Sequence, residues 1–429
     1  MNKMIKGLKN KLTDTKEKKT LIENIFSLSI LHGLNYILPL LTIPYLVRVL
    51  GPNYFGLLAY VSSIIGIFIL ITDYGFNLSA TRQISIYRDD EKKVTEIFSA
   101  VMMIKTALLL LSLVLMIGLI LSVDEFRDNW DLYFITFGMV VGSVIYPVWL
   151  FQGMEKMKYI TYLDVGIKGF FTLCIFLFVN EPEDYIIVPL LTSLGFMVAG
   201  VIALLIVKKQ FRVKFIFQSM KVINTQLKEG WHIFYSKLGT AVYPYGIIII
   251  LGLFTNNSVV GYFSASEKIV RAVKKLYAPI GQAIFPSIGF KIKNDKKAGL
   301  QFVRKTVVIM GSIMFMLSLL LFILADPIVS LLFGNQYQES ILILRIMAII
   351  PFTYTVSNLL GVQTLINLGY KKEYGLIIIT ITTLSMAFAY ILILNYKLVG
   401  ASLTMIITEI LILATLCLFF LFKKLNNSL

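Results

Sequence analysis

The chain has 429 residues, of which 57% are hydrophobic and 15% charged, and its mean hydropathy is +0.81. Soluble domains hold roughly 45–50% apolar and about 25% charged residues, so a water-soluble fold is excluded. The net charge of +16 is dispersed between apolar segments, which speaks against a nucleic-acid partner, and Cys174 and Cys417 sit inside apolar runs, unlike a disulfide scaffold.

What remains is an all-α polytopic membrane protein. Continuously apolar runs such as 107–122 are unlike the alternating strands of an outer-membrane barrel. Residues 1–20 form a basic tail with seven lysines and no apolar stretch, so no signal peptide is expected. A transmembrane helix needs about 20 apolar residues. Twelve such spans are predicted, at about 21–48, 54–72, 97–122, 130–150, 159–179, 184–207, 230–254, 258–286, 303–325, 340–366, 374–395 and 399–422. They divide into a six-helix bundle over 21–207, a basic linker at 208–229, a second six-helix bundle over 230–422 and a tail at 423–429. The linking segments alternate in charge. One set, which includes both tails, carries 29 Lys and Arg residues; the other holds Arg127, Lys397 and, at its edge, Arg48. The positive-inside rule then puts both termini in the cytoplasm.

A shift of 205 residues superposes Pro39 on Pro244, Leu46 on Leu251 and Gly56 on Gly261. Phe151-Gln152-Gly153 with Lys156 and Tyr159 echoes Asn367-Leu368-Gly369 with Lys371 and Tyr374. Halves with an even number of spans insert in the same direction, which makes this a parallel repeat around a central cleft, a transporter layout.

Several ordered motifs carry a family resemblance: Leu50-Gly51-Pro52-Asn53-Tyr54-Phe55-Gly56, Asp73-Tyr74-Gly75-Phe76-Asn77, Trp149-Leu150-Phe151-Gln152-Gly153-Met154-Glu155-Lys156-Met157, Val260-Gly261-Tyr262-Phe263-Ser264-Ala265-Ser266-Glu267-Lys268, and Pro286. The series resembles the polysaccharide transporters of the multidrug/oligosaccharidyl-lipid/polysaccharide exporter superfamily, and among them the Wzx-type flippases of O-antigen and capsular repeat units. The resemblance implies a bacterial plasma-membrane flippase that moves an undecaprenyl-diphosphate-linked oligosaccharide outward by alternating access. A monomer is the default expectation, with a polysaccharide polymerase and chain-length machinery as candidate partners and no cofactor beyond H⁺ or Na⁺ coupling. Lipid II flippases are similar but usually carry fourteen spans; drug exporters of the superfamily have twelve.

Ionisable groups in a bilayer cost about 2.5–3.5 kcal/mol on insertion scales and mark functional sites. The eighth predicted span carries Glu267, Lys268, Arg271, Lys274 and Lys275. Lys268, Arg271 and Lys275 share one helical face, where a diphosphate would offset their repulsion and Arg271 would offer it a bidentate fork. Lys274 and Lys275 read equally as snorkelling side chains. Lys237 falls opposite His32 under the 205-residue shift, and the two are candidates for a second phosphate contact. Lys168 follows Asp164 by four residues and reads first as half of an intrahelical ion pair. Arg48 reads as an interfacial anchor or a substrate contact, and Lys105 as a snorkelling lysine. Among the acids, Glu409 is protonated, paired across helices, or a proton or Na⁺ site. Asp73 suits a gate, and Glu267 serves its cationic neighbours.

A cationic interior suits a lipid diphosphate, whereas an exporter of cationic drugs would line its cleft with carboxylates and aromatics. No HExxH, CxxC, GxSxG or GxxxxGK motif points to catalysis. A membrane polymerase or acyltransferase remains the alternative from another class, although the outside loops are short for one. The membrane potential would assist export of a diphosphate by about 2.3 kcal/mol per charge per 100 mV.

Overall fold

The computed structural model describes the backbone of residues 16–423 and the side chains of residues 41–423, other than 236, 237, 240 and 241. Among the described residues there is no β-strand. The chain begins with α1 (Lys16–Asp73), α2 (Phe76–Ile86), α3 (Glu91–Ser122), the single turn α4 (Asp124–Arg127), α5 (Trp130–Ile145) and α6 (Val148–Gly153). It continues with α7 (Met157–Thr161), a π-helical turn at Tyr162–Lys168, α8 (Gly169–Phe178), α9 (Ile187–Gln210) and α10 (Met220–Phe254). The last stretch holds α11 (Asn257–Lys275), α12 (Ala278–Asn294), α13 (Lys296–Ile323), α14 (Ala325–Phe333), α15 (Glu339–Met347), α16 (Ile350–Asn358), a π-helical turn at Leu359–Leu365, and α17 (Lys371–Phe422).

The protein is a multi-pass helical membrane protein. Eight helical stretches of the described residues are long and apolar enough to cross a bilayer, against the twelve predicted spans. Leu41–Ile86 runs through Gly51, and Lys371–Phe422 runs through Lys397; both residues depart from helical dihedrals, so each stretch is two helices joined at a kink. The eighth predicted span is divided at Leu276–Tyr277 into α11 and α12, and α11 carries five ionisable residues that dilute its apolar character. The seventh predicted span lies within α10, whose apolar stretch is described over Val242–Phe254.

Two compact units share these helices. The first takes residues through Thr42 and Ile64–Lys237; the second takes Ile43–Ser63 and Leu238–Leu429. The division falls inside α1 and α10, not at the 208–229 linker. The core of the first unit gathers Phe76, Trp149, Leu150, Phe151, Val94 and Phe98. The resemblance-bearing stretches at 73–77 and 149–157 therefore form one packed cluster. Tyr74 and Gly75 both take positive φ, which ends α1 after Asp73. Tyr74 then stacks on Phe234, with ring centroids 4.9 Å apart.

In the second unit, the stretch of α1 that follows Gly51 crosses the start of α11. A Cβ on Gly56 would lie 1.7 Å from the Asn257 carbonyl oxygen, and one on Gly261 would lie 2.1 Å from that of Pro52. The contact is reciprocal: Asn257 and Gly261 are Pro52 and Gly56 advanced by the repeat length of 205. Only glycine lets the two backbones approach this closely.

Candidate functional site

Helix α11 builds the site. Asn256 caps it, its side-chain oxygen accepting from the Val259 N–H at 3.0 Å. Small buried residues, Ser264, Ala265 and Ser266, then bring it close to α15. The Ser266 hydroxyl donates to the Ser340 carbonyl at 3.0 Å, and the Ser340 hydroxyl donates to the Tyr262 carbonyl at 3.0 Å. With that face packed, the stripe Glu267, Val270, Arg271 and Lys274 is left to line a cavity of about 320 Å³ inside the second unit. Such a volume sits at the lower end of small-molecule sites, roughly 300–1,000 Å³.

Four ionisable side chains meet there as two ion pairs. Arg271 Nε donates to Glu267 Oε1 at 2.7 Å, and Lys274 Nζ donates to Glu409 Oε1 at 3.0 Å. The first pair is one turn apart on α11 and leaves the Arg271 side chain 44% exposed. Its hydrogen bond uses Nε alone, so among the described residues the two terminal amino groups stay open to an oxyanion. The second pair joins residues 135 positions apart and ties α11 to α17. The Lys274 ammonium also sits 4.0 Å from the centroid of the Tyr354 ring, a cation–π contact.

Tyr243 and Tyr245 of α10, Tyr354 of α16 and Tyr374 of α17 surround these pairs. Tyr243 donates to the Met405 carbonyl at 3.4 Å. Ser357, Asn358 and Thr382 add uncharged polar groups to the wall. Among the described residues the buried Ser357 hydroxyl has no hydrogen-bond partner.

The structure brings Arg271, Lys274, Glu267 and Glu409 together at this wall. The expected face of Lys268, Arg271 and Lys275 is only partly the one presented to the cavity. Lys268 is half-buried with its ammonium 5.8 Å from the Phe55 ring centroid, and Lys275 is exposed outside the lining. The helical stripe through Glu267 and Arg271 reaches Lys274, not its neighbour. The wall is also balanced, with two cations and two carboxylates, where a cationic interior was expected. Glu409 has Lys274 as its partner across helices.

The other candidates lie elsewhere. Lys168 pairs with Asp164 at 2.8 Å in the first unit, its ammonium 4.0 Å from the Phe196 ring centroid and 4.7 Å from that of Tyr146. Arg48 clamps the end of α14. Its Nε donates to the Leu332 carbonyl at 3.0 Å, a second guanidinium nitrogen donates to the Leu331 carbonyl, and Gln336 donates back to the Arg48 carbonyl at 3.1 Å. Lys105 does not snorkel: it is 3% exposed and donates to the Ser143 carbonyl at 3.1 Å. Asp73, half-buried, closes α1 in the first unit. The side chains of His32 and Lys237 lie outside the described residues.

Sequence reasoning missed Tyr354, Tyr374, Ser357, Asn358 and Thr382. An amide inside an apolar run, as at Asn358, was the available signal. The tyrosines gave none, because packing and interfacial belts use the same residue.

Comparison with known proteins adds a family and a fold. The family model described as a polysaccharide biosynthesis protein matches residues 21–290. An O-antigen transporter of Escherichia coli (strain K12) is 34% identical over 402 residues, covering 94% of this chain and 97% of that protein. One from Shigella dysenteriae is 29% identical over 395 residues, covering 91% and 97%. Among solved structures, an inward-facing multidrug resistance MATE family transporter of the MOP superfamily aligns with a TM-score of 0.71 at 14% identity, over 93% of this chain and 98% of that one. The lipid II flippase MurJ aligns with a TM-score of 0.68 at 16% identity, over 92% and 86%.

Proposed function

Because the chain belongs to the polysaccharide biosynthesis protein family, we propose that it is a flippase for a lipid-linked oligosaccharide in the plasma membrane of a bacterium. The substrate is an undecaprenyl-diphosphate-linked repeat unit, carried outward by alternating access, with both termini and the basic loops on the cytoplasmic side. The observation that carries this reading is the Arg271–Lys274 stripe, set in a wall of four tyrosines. Guanidinium and ammonium groups recognise phosphate oxygens, and aromatic faces pack on sugar rings. A cavity of about 320 Å³ holds the diphosphate and the first sugar; the rest of the repeat unit lies beyond it.

The ion pairs give the binding step its chemistry. An entering diphosphate takes Arg271 and Lys274 away from Glu267 and Glu409. Each displaced carboxylate is then left without its counter-ion in a poorly solvated site and takes up a proton or Na⁺. Binding is thereby linked to cation uptake. Whatever part of the diphosphate's charge those cations leave uncompensated is driven outward by the inside-negative potential, at about 2.3 kcal/mol per charge per 100 mV. Vesicles with a clamped potential and no ion gradient measure that contribution: the expected rate rises with the potential, and an unchanged rate removes the electrophoretic component.

The decisive experiment places Arg271→Ala and Arg271→Lys in cells lacking their own O-antigen flippase, with membrane levels checked by immunoblot. Loss of surface polysaccharide with Ala at normal protein levels is the expected result, and failure of Lys as well identifies bidentate recognition. Full function with Ala removes the diphosphate site. The two carboxylates of the wall favour one other reading, a cation-coupled drug exporter. That reading predicts resistance to cationic dyes on expression, lost in Glu409→Gln.

A further inference from the structure

The connection between α9 and α10 carries no part of the flippase reading, yet its construction is specific. Residues 208–221 hold five basic side chains, Lys208, Lys209, Arg212, Lys214 and Lys221, three phenylalanines and no acid. After α9 the chain turns at Arg212, whose φ is +54°, and then runs without helix to Ser219. This strap is pinned to α3. Ser99, fully buried, donates from its hydroxyl to the Lys214 carbonyl at 3.3 Å and accepts from the Ile216 N–H at 3.0 Å. The Gln218 N–H points at the Met103 sulfur, 3.4 Å away. Val213 is buried in the core of the first unit.

So held, the strap turns its large apolar side chains outward. Phe215 and Ile216 are about half exposed, Phe217 is 83% exposed and Met220 is 72% exposed. Phe215 and Phe217 meet edge to face with centroids 5.5 Å apart, forming one patch. Depth follows from the backbone. A lipid-exposed segment without helical hydrogen bonds is not tolerated in the hydrocarbon. The contact point, Ser99, lies about 12 Å along α3 from the charged start at Glu91 and Lys92. Both facts put the strap at headgroup level, where exposed aromatic rings can reach the acyl chains and cations can reach the phosphates.

We infer that residues 208–221 are an anchor for anionic phospholipid, selecting acidic headgroups in the leaflet on the side of the basic loops. Apolar side chains alone would accept any lipid. The one-signed charge around them selects, because each Lys or Arg near an anionic surface is attracted by about 1 kcal/mol. The inference is independent of what the protein carries.

The test uses the full chain with Phe217→Trp, a substitution at an exposed ring, reconstituted in vesicles containing brominated phosphatidylglycerol or brominated phosphatidylcholine. The fluorescence of the native protein is subtracted to remove its own tryptophans. Stronger quenching by brominated phosphatidylglycerol at equal mole fraction is expected, with a relative association constant higher by at least about fivefold, the effect of one Lys or Arg. Replacing Lys208, Lys209, Arg212, Lys214 and Lys221 by Gln is expected to abolish that preference while leaving quenching by both lipids. In the unaltered strap, 0.5 M salt reduces the preference by screening, which gives a second reading without the charge substitutions. Equal quenching by the two lipids overturns the selection of headgroups. Absence of quenching by either overturns the lipid contact and points to a protein covering the strap.

Discussion

The two ends of α11 solve opposite problems. At its start, Gly261 lies against the Pro52 carbonyl and the first residue of α11, Asn257, lies against Gly56, with no side chain between the backbones. At its other end, Glu267, Arg271 and Lys274 line open space. The first contact depends on shape and excludes everything but hydrogen at Cα. The second depends on charge and is held by partners that a stronger ligand replaces. One helix thus joins a crossing that tolerates no change of volume to a site built for exchange of partners.

Substitutions separate the two ends. The largest effect is expected from Gly261→Val, whose branched side chain would drive into the Pro52 carbonyl; overpacking of this kind costs on the order of 3 kcal/mol. Thermal unfolding of the purified protein measures it, and Gly56→Val should match it because the contact is reciprocal. If one valine is tolerated and the other is not, the crossing is not symmetric. Next comes Glu409→Gln, which leaves the Lys274 ammonium without a carboxylate in a largely buried site, a loss of about 2 kcal/mol. Replacing both Lys274 and Glu409 by Met should restore stability to within about 1 kcal/mol, since an apolar pair can substitute for an ionic one. Surface polysaccharide should be lost in that double variant; its presence would separate the pair from transport. The smallest effect belongs to Lys168→Met, about 1 kcal/mol from an i,i+4 pair and its aromatic contacts. Polysaccharide export near the unsubstituted level is expected, and its loss would make the first unit's pair part of the substrate path.

Spacing explains which of these features were legible beforehand. Glu267–Arg271 and Asp164–Lys168 are four residues apart, so the helical repeat alone brings each pair together. Lys274–Glu409 spans 135 residues, and no periodicity links them; an unpartnered acid in an apolar run was the only trace. The helices themselves were readable as apolar runs, because the bilayer imposes both length and hydrophobicity. The division of α11 from α12 was not, since Leu276 and Tyr277 suit a continuous helix. Lys105 was misread for a related reason. A lysine near a span end normally reaches outward, but here the Ser143 carbonyl gives it an internal acceptor. The balanced charge of the wall was hidden too, because counting cations along one helix omits the carboxylate supplied by another.

The crossing at Gly56 and Gly261 also limits how the chain can change in length. Four positions separate Pro52 from Gly56, and four separate Asn257 from Gly261. Each glycine meets the residue that opens the other's segment, so both contacts use both spacings. Deleting one residue between Pro52 and Gly56 would rotate the following helix by about 100° and remove both meeting points together. The second stretch has the same vulnerability, so a change in length is tolerable only if both copies undergo it at once. Two short segments 205 residues apart are thereby held to a common length.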